Sequence, residues 1–179
     1  KAFRNEITPG NSTFRTREFE QMEAEYFVNP GSDEEWLDYW VNERFNWYIK
    51  YGISPSNLRL RQHEATELAH YAKKVWDIEY LFPWGWSEME GIANRSDFDL
   101  KRHAEYSGED LTYYDDDTKQ RYFPFIIEPS GGVDRAALAF LLDSYSEEEI
   151  PPSKPGGRGE TRVMLRLNRN IAPIKVAIL

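Results

Sequence analysis

"FRTREFEQMEAEYF", residues 14–27, has the spacing of a β-strand and the wrong chemistry for one. Read with period two, one face carries Arg15, Arg17, Phe19, Gln21, Glu23 and Glu25. The other carries Phe14, Thr16, Glu18, Glu20, Met22, Ala24 and Tyr26. A half-buried strand presents one clean apolar face, and neither face qualifies. The preceding "AFRNEI", residues 2–7, also reads as strand, and "TPGNST" between them is a turn-rich loop. An antiparallel hairpin with Ile7 opposite Phe14 sets Glu6 against Arg15 and Arg4 against Arg17. Directly opposed residues share a face. Arg4, Glu6, Arg15, Arg17, Phe19 and Glu23 therefore pool on one surface.

Two readings of that surface compete. A structural ion-pair ladder is the plain one, although a buried ladder gains little against its desolvation cost. A nucleotide site is the other. Arg4 and Arg17 repel unless an anion lies between them, guanidinium forks suit phosphate oxygens, and Phe19 offers a ring on which a base can stack.

Working outward, residues 33–51 read as a helix, with Ser32 to cap it and Gly52 to end it. Its apolar stripe is Trp36, Leu37, Trp40, Val41, Phe45, Tyr48 and Ile49. A second helix is expected over 64–81, with Leu68, Tyr71, Ala72, Val75 and Ile78 inward and Pro83 as its stop. Residues 86–93 read as a strand with Glu88 and Glu90 on one face. "NRSDFDLKRH" predicts a short helix, and "LTYYDDDTKQRYFPFIIEPS" predicts strand, acidic turn, strand. Residues 132–145 form a helix apolar nearly all round, hence buried. "PPSKPGGRGE", 151–160, is a linker by composition, and "TRVMLRL" and "IKVAIL" resume as strands. There is no regular β-α-β alternation. The expected fold class is α+β, an antiparallel sheet flanked by helices.

Two further constellations carry chemistry. In "IIEPSGGVDR", 126–135, a strand ends at Glu128 and Pro129, Ser130–Gly131–Gly132 are read as a tight turn, and Arg135 sits in the first turn of the next helix. A cation there opposes the helix dipole, so Arg135 either snorkels to solvent or aims at an anion beside exposed backbone N–H groups. In "WSEMEGIANRSDFDL", 86–100, Glu88 and Glu90 are either solvated strand charges or oxygen ligands for Mg²⁺ beside a triphosphate. His63, Glu67 and His70 share one face of the expected helix but lack zinc-site spacing. "YDDDTK" reads as an acidic turn, and Trp84 and Trp86 as packing.

The bulk numbers bound these readings. The chain has 179 residues, 40% apolar, 30% charged and 15% aromatic, with net charge −9 and no cysteine. That composition excludes disorder as a default, binding to nucleic acid through a global basic field, disulfides and thiolate metal sites. The lack of cysteine fits a reducing, cytoplasmic setting. No run approaches a membrane span, and no signal peptide is expected ahead of the fold. Lys1 opens directly into strand, which leads us to expect a missing upstream part.

Taken in order, the constellations resemble a known family. "FRNEI…FRTREF" resembles motif 2 of the class II aminoacyl-tRNA synthetases, and "EPSGGVDRAALAFLLDSY" resembles motif 3. With "HYAKKVWDIEYLFPWGW" and "EGIANRSDFDL", nearly the whole chain resembles the homodimeric type of glycyl-tRNA synthetase. The resemblance implies a class II catalytic core that uses ATP and Mg²⁺ to activate glycine and then charges tRNA(Gly). It implies an ATP site drawn from Arg4, Asn5, Glu6, Phe14, Arg15, Thr16, Arg17, Glu18, Phe19, Glu88, Met89, Gly132, Val133, Asp134 and Arg135. Arg4 would bridge the α-phosphate and the activated carboxylate, Glu6 would meet the adenine amino group, and Phe19 would stack on the ring. Arg135 would cover the other face and reach the terminal phosphate. Glu88 would lie at the metal. The implied glycine site draws on Phe19, Glu20, Gln21, Met22, Glu23, Arg95, Glu128, Pro129, Ser130, Gly131 and Gly132. Arg4 and Arg135 are the implied catalytic pair.

The same resemblance implies a core over 1–150, with motif 2 at 1–28, a helical insertion at about 32–83 and motif 3 at 125–145. A linker at 151–161 and a lead-in to a truncated anticodon-binding domain at 162–179 would follow. Motif 1, used by the family at its dimer interface, would lie before Lys1. The rival expectation is a non-catalytic synthetase-like accessory or binding module, which should have lost the ATP arginines.

Overall fold

In a computed structural model, residues 1–151 and 159–178 are described. Every strand pairing among them is antiparallel. The fold class is the expected α+β.

The first hairpin pairs β1 (Ala2–Phe3) with β2 (Glu18–Phe19), Ala2 opposite Phe19 and Phe3 opposite Glu18. The Arg4 N–H donates to the Arg17 carbonyl, so the expected register holds through Arg4. It then breaks. Ile7 is exposed while Phe14 is buried, so that pair does not form. A separate bridge, Gly10 with Arg15, closes the loop instead. The second strand is likewise interrupted, continuing as β3 (Gln21–Glu23) and β4 (Tyr26–Val28).

Helix α1 (Asp33–Lys50) fits its expected span. Ser32 stands at its N-cap, but the Ser32 hydroxyl donates to the Asn29 carbonyl and caps nothing. Gly52, at φ +115°, turns the chain away after the helix, a conformation glycine adopts without strain. The expected helix over 64–81 is absent. Residues 63–73 form turns, preceded by β5 (Leu58–Gln62) and followed by β6 (Lys74–Phe82). The helix-like spacing of Leu68, Tyr71, Val75 and Ile78 misled. Within β6 the alternation is period two, with Trp76, Ile78 and Tyr80 on one face and Val75, Asp77 and Glu79 on the other.

β7 (Gly85–Ser96) leads into α2 (Phe98–Ser107), then the small hairpin β8 (Tyr113–Asp115) and β9 (Gln120–Tyr122). β10 (Phe125–Gly132) runs straight through Ser130–Gly131–Gly132, which are strand and not the expected turn. α3 (Val133–Ser144) buries only one side, at Ala136, Ala139 and Ser144, and leaves Leu141 exposed. The expectation of burial all round is therefore corrected. β11 (Tyr145–Ile150), which the sequence reading did not assign beyond the helix end at Tyr145, pairs with β12 (Glu160–Leu165). Residues 174–178 are not a strand. Most of the expected linker, 152–158, lies outside the described residues.

The main sheet runs β3-β10-β7-β6-β5, with β4 also on β10. One face packs on α1 through Leu37, Val41, Tyr48, Ile78, Ile92 and Ile127. A charge lies inside that layer. Glu90 is 1% exposed, and its carboxylate accepts bonds from Arg44 at 2.6 and 3.0 Å and from the Tyr48 hydroxyl at 2.7 Å. Burial, then the Glu90 charge, push the Tyr48 hydroxyl far up. Arg44→Met leaves the buried Glu90 carboxyl without its cationic partner. It should lower unfolding free energy by about 3–5 kcal/mol in urea denaturation, with much of the loss recovered in Arg44→Met/Glu90→Leu. A loss under about 1 kcal/mol would mean that the pair behaves like a surface contact.

Candidate active site

The opposite face of the sheet carries the polar residues, and one cavity of about 390 Å³ opens on it. Alternation decides which side chains enter. Along β10, Glu128, Ser130 and Gly132 line the cavity, while Ile127, Pro129 and Gly131 do not. Register carries this across the sheet, with Ser130 opposite both Glu23 and Gly91, and Gly91 opposite Asp77. Gln21 and Glu23 accordingly face in, while Met22 faces out opposite Gly131.

A bulge in the β6–β7 ladder separates Glu88 from Glu90, because Glu79 pairs with Glu88 but Ile78 with Glu90. Glu88 and Met89 both reach the cavity, and Glu90 goes to the core. The shared face expected for the two glutamates is corrected. Gly91 leaves the floor open between strands, where an added Cβ would sit 3.7 Å from Asp77 Oδ1 and 3.9 Å from Glu88 Oε1.

Arg4, Glu6, Phe14, Arg15, Thr16, Phe19, Gly132, Asp134 and Arg135 line the cavity at one end. The Arg4 guanidinium lies 5.2 Å from the Phe19 ring centroid, and Arg15 is 3.5 Å from Glu6. Arg135 crosses from the first turn of α3. It donates to the carbonyls of Phe14 at 3.2 Å and Glu88 at 2.9 Å, and its guanidinium lies 4.3 Å from the Phe14 ring centroid. The Val133 N–H beside it is occupied, donating to the Glu20 carbonyl at 3.0 Å. Asp134 accepts from the Glu20 N–H at 3.2 Å, fastening α3 to the start of β3.

Four residues named for this end from sequence do not line it. Arg17 stays opposite Arg4 along the backbone, but its side chain is exposed and donates to the Glu6 carbonyl at 3.1 Å, so it does not join Arg4 at the cavity. Glu18 pairs with Lys1 on the far side of the hairpin at 2.5 Å. Asn5 and Val133 also lie outside the lining.

The other end holds Glu23, Ser130, Glu128 and Arg95. The Ser130 hydroxyl donates to Glu23 at 3.2 Å. Arg95 Nη1 is 2.7 Å from Glu128, and its Nε donates to Asp99 at 2.7 Å. Burial raises the Glu128 carboxyl to about 7 against the pull of Arg95, with Glu25 and Glu23 adding to the rise. Sequence reasoning missed the residues that wall this end, including His63, Glu67, Tyr71 and Val75. Glu67, Tyr71 and Val75 lie in the stretch misread as helix, and His63 adjoins it. The period-two alternation of Trp76–Tyr80 was the signal that could have shown that this stretch is not one helix. His63 is held by Asp77 at 2.7 Å.

Between about pH 4.5 and 7, Glu128 keeps in the fold a proton that the unfolded chain has released. Stability contributed by that proton is complete below 4.5 and lost as pH rises through 7. Glu128→Gln cannot ionise. From pH 5 to pH 8 the parent should lose on the order of 1–3 kcal/mol relative to it in urea unfolding. Parallel pH profiles would refute the assignment.

No protein-family model matches the chain. It is 56% identical over its whole length to the glycine–tRNA ligase of Corynebacterium glutamicum, covering 39% of that protein. It is 56% identical to that of Thermobifida fusca, again over 39%, and 56% identical to that of Acetivibrio thermocellus, over 37%. The chain thus spans about two fifths of the length of these curated relatives. A solved seryl-tRNA synthetase from Pyrococcus horikoshii, complexed with ATP, superposes with TM-score 0.64 at 20% identity, over 80% of this chain and 32% of that one. At that identity the likeness speaks for the fold alone. The chain is therefore similar, from end to end, to one segment of glycine–tRNA ligases, and it carries the fold of a class II aminoacyl-tRNA synthetase core.

Proposed function

We propose that this chain is the adenylate-forming core of a glycine–tRNA ligase. The observation that carries the reading is the single cavity that gathers Arg4, Arg135, Glu23, Glu128 and Ser130. ATP occupies the end around Arg4, Phe19 and Arg135. Glycine occupies the end around Glu23, Glu128 and Ser130. Glycine has no side chain to grip, so its ammonium must carry recognition, and two carboxylates with a hydroxyl suit it.

The glycine carboxylate attacks the α-phosphorus of ATP, and pyrophosphate leaves. This step calls for positioning and charge neutralisation more than for a general base. Arg4 bridges the reacting carboxylate and the α-phosphate, and Arg135 meets the terminal phosphate. A second reading, a binding module without catalysis, predicts loss of these arginines, and both are present.

Mg²⁺ suits the cavity's donor set. Glu88 offers a half-exposed carboxylate at the cavity, 3.5 Å from Arg135, and Mg²⁺ beside phosphates needs one or two carboxylates plus water. Glu88 would hold the ion, which supplies neutralisation at phosphate oxygens when bound. Among the described residues no larger cluster of acids and histidines fits a metal.

In the full-length protein the reading extends to transfer of glycine to tRNA(Gly), to a homodimer and to the cytoplasm. Among the described residues no helix is long and apolar enough to cross a membrane. The test is glycine-dependent exchange of pyrophosphate into ATP. Arg4→Ala and Arg135→Ala should each lower it by roughly 100-fold or more. Exchange that survives both substitutions would remove the roles assigned to these arginines.

A further inference from the structure

We infer that Tyr71 is a positioning residue, holding Arg95 flat so that the guanidinium presents its free Nη2 to the carboxylate of an α-amino acid. The inference rests on the reading of this end of the cavity as the amino-acid site. Arg95 is restrained on two edges, Nε by Asp99 and Nη1 by Glu128, each at 2.7 Å. Its Nη2 has no acceptor among the described residues, and the side chain lines the cavity. Two carboxylates fix two points of a planar fork but leave it free to tilt about the line joining them. The Tyr71 ring closes that freedom, with the guanidinium carbon 4.2 Å from its centroid. A planar cation on an aromatic face is attracted by the ring quadrupole, and more strongly where water is excluded.

Tyr71 can do this because its loop is anchored. At its start the His63 N–H continues the β5–β6 ladder to the Val75 carbonyl at 3.0 Å, and the ring is tied to Asp77. In the middle, Glu67 pairs with Arg61 and accepts the Glu64 N–H. At its end His70 packs edge-on against Phe98 of α2, and the Lys73 N–H donates to the Asn94 carbonyl at 2.8 Å. The loop thus bridges both flanks of Arg95.

The experiment is calorimetric titration of the chain with a non-hydrolysable glycyl-adenylate analogue, and separately with ATP. Tyr71→Ala and Tyr71→Leu should each weaken the analogue about tenfold, the scale of a desolvated cation–π contact. ATP affinity should move less than about threefold, since ATP alone does not reach Arg95. Tyr71→Phe keeps the ring and should recover most of the lost affinity. If the parent binds the analogue and Tyr71→Leu binds it equally well, Tyr71 has no positioning role. If Tyr71→Phe is as weak as Tyr71→Ala, the hydroxyl and not the ring is responsible, and the inference falls. Should Tyr71→Ala fail to fold, Tyr71→Leu, which preserves bulk without a π face, decides the matter. A parent chain that binds neither analogue nor ATP overturns the amino-acid site itself, and this inference with it.

Discussion

Successive side chains of a strand point to opposite faces, and the cavity depends on that constraint. In β10 it sends Ile127 into the layer beneath α1 and Glu128 and Ser130 into the hollow. In β7 it sends Ile92 and Asn94 one way and Gly91, Ala93 and Arg95 the other. A slip of one residue would invert the assignment, burying the charges in the core and opening the aliphatic residues to the cavity. The ladders from β3 through β10 and β7 to β6 therefore set both packing and chemistry.

Charge is handled differently on the two faces. Beneath the sheet, Glu90 is closed off and bonded by Arg44 and Tyr48. Asp33 is treated alike: burial would raise its carboxyl, but Lys73 and Asn94 hydrogen-bond it and hold it below the usual carboxylate range. Above the sheet, groups keep unfilled capacity. Arg95 has a spare Nη2, and Glu128 remains raised although it touches an arginine. Incomplete pairing in a concave, partly dry place is what permits a polar substrate to complete it.

The hairpin and its charged surface were legible because opposed arginines and carboxylates on a strand contradict ordinary burial. The register through Arg4 followed from simple counting across the loop. Residues 64–81 were not legible. The period-two alternation of β6 is confined to Trp76–Tyr80, too short a run to outweigh the pattern of the residues before it. The remaining apolar residues happened to fit a helical spacing. Ser130–Gly131–Gly132 misled similarly. Two adjacent glycines suggested a turn, whereas Gly131 is bare because an added Cβ would approach Glu90 Oε2 to 3.2 Å.

The sequence by itself determined the antiparallel α+β class and the α1 and α3 segments, and it marked Arg4, Glu6, Arg15, Phe19 and Arg135 as candidates for a nucleotide site. These follow from local periodicity and side-chain chemistry. Only the tertiary structure decided which charges face the cavity, because a bulge separates Glu88 from Glu90 and the Arg17 side chain goes to the Glu6 carbonyl and not to the cavity. Only it brought Tyr71 onto Arg95 from a loop 24 residues upstream in the chain. Such placements depend on register and long-range packing, which a local pattern cannot encode.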